Sequence, residues 1–165
     1  MTFLEEFNNK KILLKKENIY LLFLIILIFF TDRISKNIII NNYSENIYFI
    51  NEFINLDLIW NTGIGFGLFS SNSSLIYNLI TLLISLVIIF LFFLAIDSER
   101  TDKIIFSIII GGALGNFYDR LIYNAVPDFI DLHYNKFHWF TFNIADILIS
   151  IGIVLFIIRG FLLKD

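Results

Sequence analysis

Two carboxylates of this chain stand where a carboxylate is costly. Asp146 closes the segment FNIAD (142–146) and meets the apolar run 147–158, which holds nothing more polar than Ser150 and Gly152. Asp128, in VPDFID (126–131), lies among Val126, Pro127 and Phe129 and not among polar neighbours, as a surface-loop Asp normally does. A charge near hydrocarbon costs roughly 2.5 kcal/mol or more at mid-helix, so such a residue asks for a function. Two carboxyl groups held close do not both ionise cheaply; one keeps its proton and the pair titrates as a unit. The charged member takes a proton from water, while the protonated one polarises a carbonyl and later protonates a leaving amine. Proton relays in membrane carriers use the same residue type, so the residues alone leave both readings open.

Other chemistries find little material. The chain has no cysteine, which excludes disulfides, thiol nucleophiles and Cys-zinc sites. Its two histidines, His133 and His138, share one loop without the HExxH spacing, so no metal and no cofactor is expected and both are read as exposed loop residues. Ser35 directly precedes Lys36, and adjacent helix positions do not form a positioned pair. The glycines of NTGIGFG (61–67) fit neither GxGxxG nor GxxxxGK[ST]; a tight turn is expected there.

Further polar residues fall at helical spacings. Gly112, Asn116 and Asp119 at i, i+4 and i+7 line one face, and Gly111 with Gly115 forms a GxxxG pair for close helix packing. Asn143 and Asp146 at i, i+3 share a face, as do Asp32 and Lys36 at i, i+4, an ion-pair spacing that is also common in purely structural helices. Arg120 and Lys36 are the counter-charges to Asp32, Asp119, Asp128 and Asp146, whereas Asp131 is expected to be solvated.

The elements that must hold these residues are membrane helices. Of 165 residues 58% are hydrophobic and 16% charged, which fits one multi-pass membrane domain and not a soluble one. The net charge of −3 is too small to suggest a nucleic-acid partner. Four spans are expected, at about 18–40, 75–96, 104–123 and 140–163, with a tail at 1–17 and outer loops at about 41–73 and 124–139. The apolar part of the first block, 19–30, rises only about 18 Å, so a bilayer core of about 30 Å requires the helix to continue through Asp32 and Lys36. No small-x-small cleavage site follows it, so it is not read as a signal peptide. Lysines and arginines number eight in the tails and the second loop and four in the other two loops with the adjoining span ends. The positive-inside rule then places both termini in the cytoplasm and the polar residues at the outer face. Within the first outer loop, NEFINLDLIW alternates loosely, as a short strand or hairpin does.

Taken in order, DRISK (32–36), NTGIGFG (61–67), GGALGNFYDRL (111–121), VPDFID (126–131) and FNIAD (142–146) resemble the lipoprotein signal peptidase family, or signal peptidase II. The resemblance covers essentially the whole chain after the N-terminal tail. It implies an intramembrane aspartic peptidase of the bacterial cytoplasmic membrane, all-α with four transmembrane helices and a small extracytoplasmic β-sheet from loop 1, plus a short amphipathic surface helix. It implies removal of signal peptides from diacylglyceryl-modified prolipoproteins, cutting before the lipid-bearing Cys, with Asp128 and Asp146 catalytic. Asp32, Lys36, Asn61, Gly112, Asn116, Asp119, Arg120 and Asn143 match the supporting positions, Gly112 where the main chain is expected close to substrate. Inhibition by globomycin, contact with membrane lipid and action as a monomer are expected too. Two departures are Arg33, where the family usually has Gln, and Pro127, where it usually has Val. Arg33 adds positive charge suited to lipid headgroups, and Pro127 removes a backbone N–H and stiffens the approach to Asp128. A carrier would carry polarity through the bilayer, and a non-catalytic assembly factor would tolerate Asp128→Asn.

Overall fold

The computed structural model describes residues 15–63 and 74–162. Most of the tail, the expected glycine turn from residue 64 onward and the rest of the segment up to residue 73 lie outside these residues, and no short amphipathic helix occurs among the described ones. The elements in order are α1 (Lys16–Asn42), β1 (Tyr48–Asn51), β2 (Ile54–Asn61), α2 (Ser74–Asp97), α3 (Arg100–Tyr123), β3 (Val126–Tyr134), β4 (Phe137–Phe142) and α4 (Ile144–Leu162). Each of the four helices is long and apolar enough to cross a membrane. At 27 residues α1 runs unbroken through Asp32 and Lys36, as the length argument requires.

The helices are apolar on the outside and bury both an apolar cluster and most of their polar residues. Along α1 the buried residues are Asn18, Leu21, Ile25, Ile28, Asp32, Lys36 and Ile39, a seam in steps of three or four residues, with Arg33 beside it. Phe23, Ile26, Phe30 and Ile34 point outward. Lipid tails solvate these side chains as well as another helix would, so helix contacts rely on close packing and polar pairing. Glycines make that packing possible. A Cβ at Gly111 would meet Ile28 Cβ at 2.7 Å, and one at Gly115 would meet Asp32 Oδ2 at 2.3 Å, so α1 crosses α3 along the GxxxG pair. On a neighbouring face a Cβ at Gly112 would meet the Ala145 carbonyl oxygen at 2.9 Å, bringing α4 alongside. α3 is thus the central helix, packed against α1, α2 and α4, while α2 and α4 scarcely meet.

Two boundaries differ from the sequence expectation. The third helix begins at Arg100, leaving Ser98 and Glu99 as the link from α2, because Lys103 turns inward and donates to the Ala95 and Ile96 carbonyls at the end of α2. The fourth begins at Ile144, since Phe140 and Phe142 belong to β4.

The sheet is antiparallel with strand order β1-β2-β3-β4. Only half of it comes from the connection between α1 and α2; β3 and β4 occupy the segment between α3 and α4 that was expected to be a loop. β3 is held on one side by β2, with Ile59 opposite Asp128 and Asn61 opposite Val126, and on the other by β4. Pro127, which has no N–H to give, sits near the start of β3, where a strand tolerates it best. Asn124 and Asn135 both take a left-handed φ of 54°, the first ending α3 and the second turning the β3–β4 hairpin.

Candidate active site

The start of α4 is a reciprocal cap. Asn143 precedes the helix and accepts the Asp146 N–H on its side-chain oxygen at 3.0 Å, while Asp146 Oδ2 accepts the Asn143 N–H at 3.2 Å. This is capping-box geometry with an Asn and an Asp in the two roles, and it satisfies helix donors that would otherwise be orphaned. The cap also fixes Asn143 as a donor. With its oxygen engaged, its side-chain NH2 points away from the helix and donates to Asp128 Oδ1 at 2.6 Å.

Asp128 reaches this point from β3. Its second oxygen accepts from Asn61 Nδ2 at 2.8 Å, and Asn61 is fixed in that orientation because its own oxygen accepts the Gly63 N–H at 2.8 Å. Burial, and then the charge of Asp146, pushes the Asp128 carboxyl up to about 7, against the opposing pull of the amide donors and Lys36. Near neutral pH it therefore holds a proton about half the time.

Asp146 receives its other donor from α3. Asn116 Nδ2 lies 2.8 Å from Asp146 Oδ1, and the Asn116 oxygen accepts from Lys36 Nζ at 2.7 Å. Lys36 spends its remaining N–H groups on Asp32 and Asp119, both at 2.7 Å. An ammonium has no acceptor, so Lys36 dictates which end of the Asn116 amide faces Asp146. Each oxygen of both aspartates thus takes one N–H, from three asparagine side chains and one main-chain amide.

Every candidate residue takes part in this cluster or supports it. Asp32 Oδ1 also accepts the Ala145 N–H at 3.1 Å, tying α1 to the first turn of α4. Arg120 donates to the Gly63 carbonyl at 2.7 Å and to the Asn116 carbonyl, which holds the end of β2 against α3. At Gly112 an added Cβ would meet the Ala145 carbonyl oxygen at 2.9 Å and the Ile149 side chain at 3.0 Å, so this glycine lets the first turns of α4 pack closely on α3. Asp131 is not solvated but 2% exposed, since β3 is covered on both sides; it lies 2.7 Å from His138 Nδ1 and 3.3 Å from Asn55 Nδ2. His133 is likewise buried, stacked on His138, where an exposed loop residue was expected. Arg33 is not directed at headgroups: it is buried against Asp119 and the Tyr118 ring. Sequence spacing gave no signal for Arg33, because Asp119 is distant along the chain, nor for the Tyr77 hydroxyl, which donates to the Arg120 carbonyl at 3.0 Å.

Asp146 is only half-buried. Its open side, with Asn116 and Arg120, forms the polar end of a groove of about 700 Å³ between α2, α3 and α4. Away from that end the groove is lined by side chains such as Ile84, Val87, Leu91, Ile109 and Ile153, with nothing more polar than Ser150. Polarity at one end only is not the through-path that a carrier requires.

Known proteins share much of this sequence and this fold. The family model for signal peptidase (SPase) II matches residues 24–162. The lipoprotein signal peptidase of Pelagibacter ubique is 51% identical over 142 residues, covering 83% of this chain and 85% of the relative. That of Thermodesulfovibrio yellowstonii is 42% identical over 140 residues, covering 84% and 90%. A bacterial membrane enzyme solved by the in meso method superposes with a TM-score of 0.69 at 30% identity, covering 88% of each chain. With the match running from the first span through the fourth, the chain belongs to the signal peptidase II family.

Proposed function

We propose that this protein removes signal peptides from diacylglyceryl-modified prolipoproteins, cutting before the lipid-bearing cysteine with Asp128 and Asp146 as an aspartic pair. The observation that carries the reading is the single asparagine, Asn143, that donates to both carboxylates, one through its side chain and one through its main chain. Asp146, charged, receives two N–H groups and faces the groove; it takes the proton from the attacking water. Asp128, protonated, polarises the scissile carbonyl and then returns its proton to the leaving amine. The supporting groups fix the geometry of both carboxylates before substrate arrives.

The groove suits a substrate that enters sideways from the bilayer, because its walls are apolar where lipid tails lie and polar only at the carboxylates. The charge distribution favours cytoplasmic termini and an extracytoplasmic site. One chain contains every group named, so a monomer suffices, and globomycin is expected to inhibit it. The test is processing of a diacylglyceryl-modified prolipoprotein by wild type, Asp128→Asn and Asp146→Asn in detergent or proteoliposomes. Each variant is nearly isosteric and is expected to lose activity by 10³-fold or more, roughly the scale of removing an essential acid or base. Wild-type processing by either variant defeats the assignment.

A further inference from the structure

Arg33 sits one position past Asp32 and is only 7% exposed. It donates through Nη1 to Asp119 Oδ1, its guanidinium lies 4.8 Å from the centre of the Tyr118 ring, and its Nη2 is buried with no hydrogen-bond partner among the described residues. Lys36 holds the other oxygen of the same Asp119. Asp32 and Asp119 are therefore balanced by Lys36 and Arg33, two charges of each sign in a buried quartet. An arginine stays charged under all relevant conditions, so its own share of this balance does not depend on pH.

With a neutral side chain at position 33, one ammonium would face two buried carboxylates. The quartet would carry a net negative charge, and Lys36 would be drawn toward Asp32 and Asp119 at the expense of its bond to Asn116. The consequence passes along the chain of bonds, because Asn116 presents its NH2 to Asp146 only while Lys36 holds its oxygen.

We propose that Arg33 is a positioning residue of the reaction: by neutralising Asp119 it leaves Lys36 to orient Asn116 against Asp146, and it thereby sets the pH range in which the aspartate pair carries one proton. The proposal rests on the two-aspartate reading. The charged and titratable groups surrounding this path are Asp32 and Lys36 on α1, Tyr118, Asp119 and Arg120 on α3, Asp146 on α4, Asp128 on β3 and Tyr77 on α2.

The experiment measures kcat and KM against pH for prolipoprotein processing by wild type, Arg33→Gln and Arg33→Lys, with Asp128→Asn in the same assay. Arg33→Gln is expected to move the basic limb of the kcat profile to higher pH by about half a unit or more, since a less positive surrounding holds the shared proton more tightly. Its KM should stay within about twofold, because the guanidinium does not face the groove. Arg33→Lys should return the limb to its wild-type place. An unmoved limb in Arg33→Gln, an effect confined to KM, or a limb in Arg33→Lys displaced like that of Arg33→Gln overturns the proposal. If Arg33→Gln does not accumulate, Arg33→Lys decides alone, a limb in place supporting the proposal and a displaced one refuting it. Processing by Asp128→Asn at the wild-type rate defeats the two-aspartate reading and this inference with it; an inactive Asp128→Asn beside an unmoved limb defeats only the role of Arg33.

Discussion

The side-chain amide of Asn143 lies 2.6 Å from Asp128, linking strand β3 to the first residue before helix α4. The same asparagine caps that helix in exchange with Asp146, so one residue serves stability and site geometry together. Asn143→Ala is expected to lose about 1 kcal/mol from the missing cap and to fall in activity by 10²-fold or more, as Asp128 loses its side-chain donor and Asp146 the acceptor that holds its N–H. Asn143→Ser keeps a capping oxygen but has no NH2 for Asp128. Its thermal unfolding should approach wild type while its processing rate stays low.

Asp128 carries a pH prediction with a definite sign. Its carboxyl is raised from 3.8 to about 7 on folding, so between these values the folded protein binds a proton that the unfolded chain releases. Stability from this group is full below about pH 4 and is lost as pH rises through about 7. Melting temperature at pH 5 and pH 8 should therefore fall more for wild type than for Asp128→Asn. The kcat profile of wild type should also turn down above about pH 7, where the protonated member is lost.

Lys36 is the sole ammonium among two carboxylates and an amide. Lys36→Met strands the buried charge of Asp32 and leaves Asp119 with Arg33 alone, and removing one partner of such a network costs about 3–5 kcal/mol. Adding Asp32→Asn to that variant removes the stranded charge. Thermal unfolding of the single and double variants should show partial recovery in the double, and additive losses would contradict the network.

Glycine 115 is a steric test of how α1 meets α3. The added methyl of Gly115→Ala would lie 2.3 Å from Asp32 Oδ2, so the carboxylate must move, taking Lys36 and the Ala145 amide contact with it. Lower melting temperature and lower activity are both expected. Gly160→Ala, with nothing among the described residues within 4 Å of its added Cβ, is the matched control and should be neutral or up to about 1 kcal/mol more stable.

How much of this was legible beforehand depends on the range of the interactions. The four helices, the extension of α1 through Asp32 and Lys36, and the GxxxG contact follow from local composition and spacing, because lipid demands long apolar helices and helical period fixes which residues share a face. The list of polar residues was equally visible, since buried polarity in an apolar chain is conspicuous. What spacing could not supply was the pairing among separate elements. β3 is a strand because β2, some seventy residues earlier, pairs with it; its own sequence begins with a proline-containing segment and does not alternate. That pairing buries Asp131 and His133, which local reasoning left in solvent. The orientation of each asparagine is likewise tertiary. An amide can present either end, and only the N–H of Gly63, the N–H of Asp146 and the ammonium of Lys36 decide that Asn61, Asn143 and Asn116 all turn their donors toward the carboxylates.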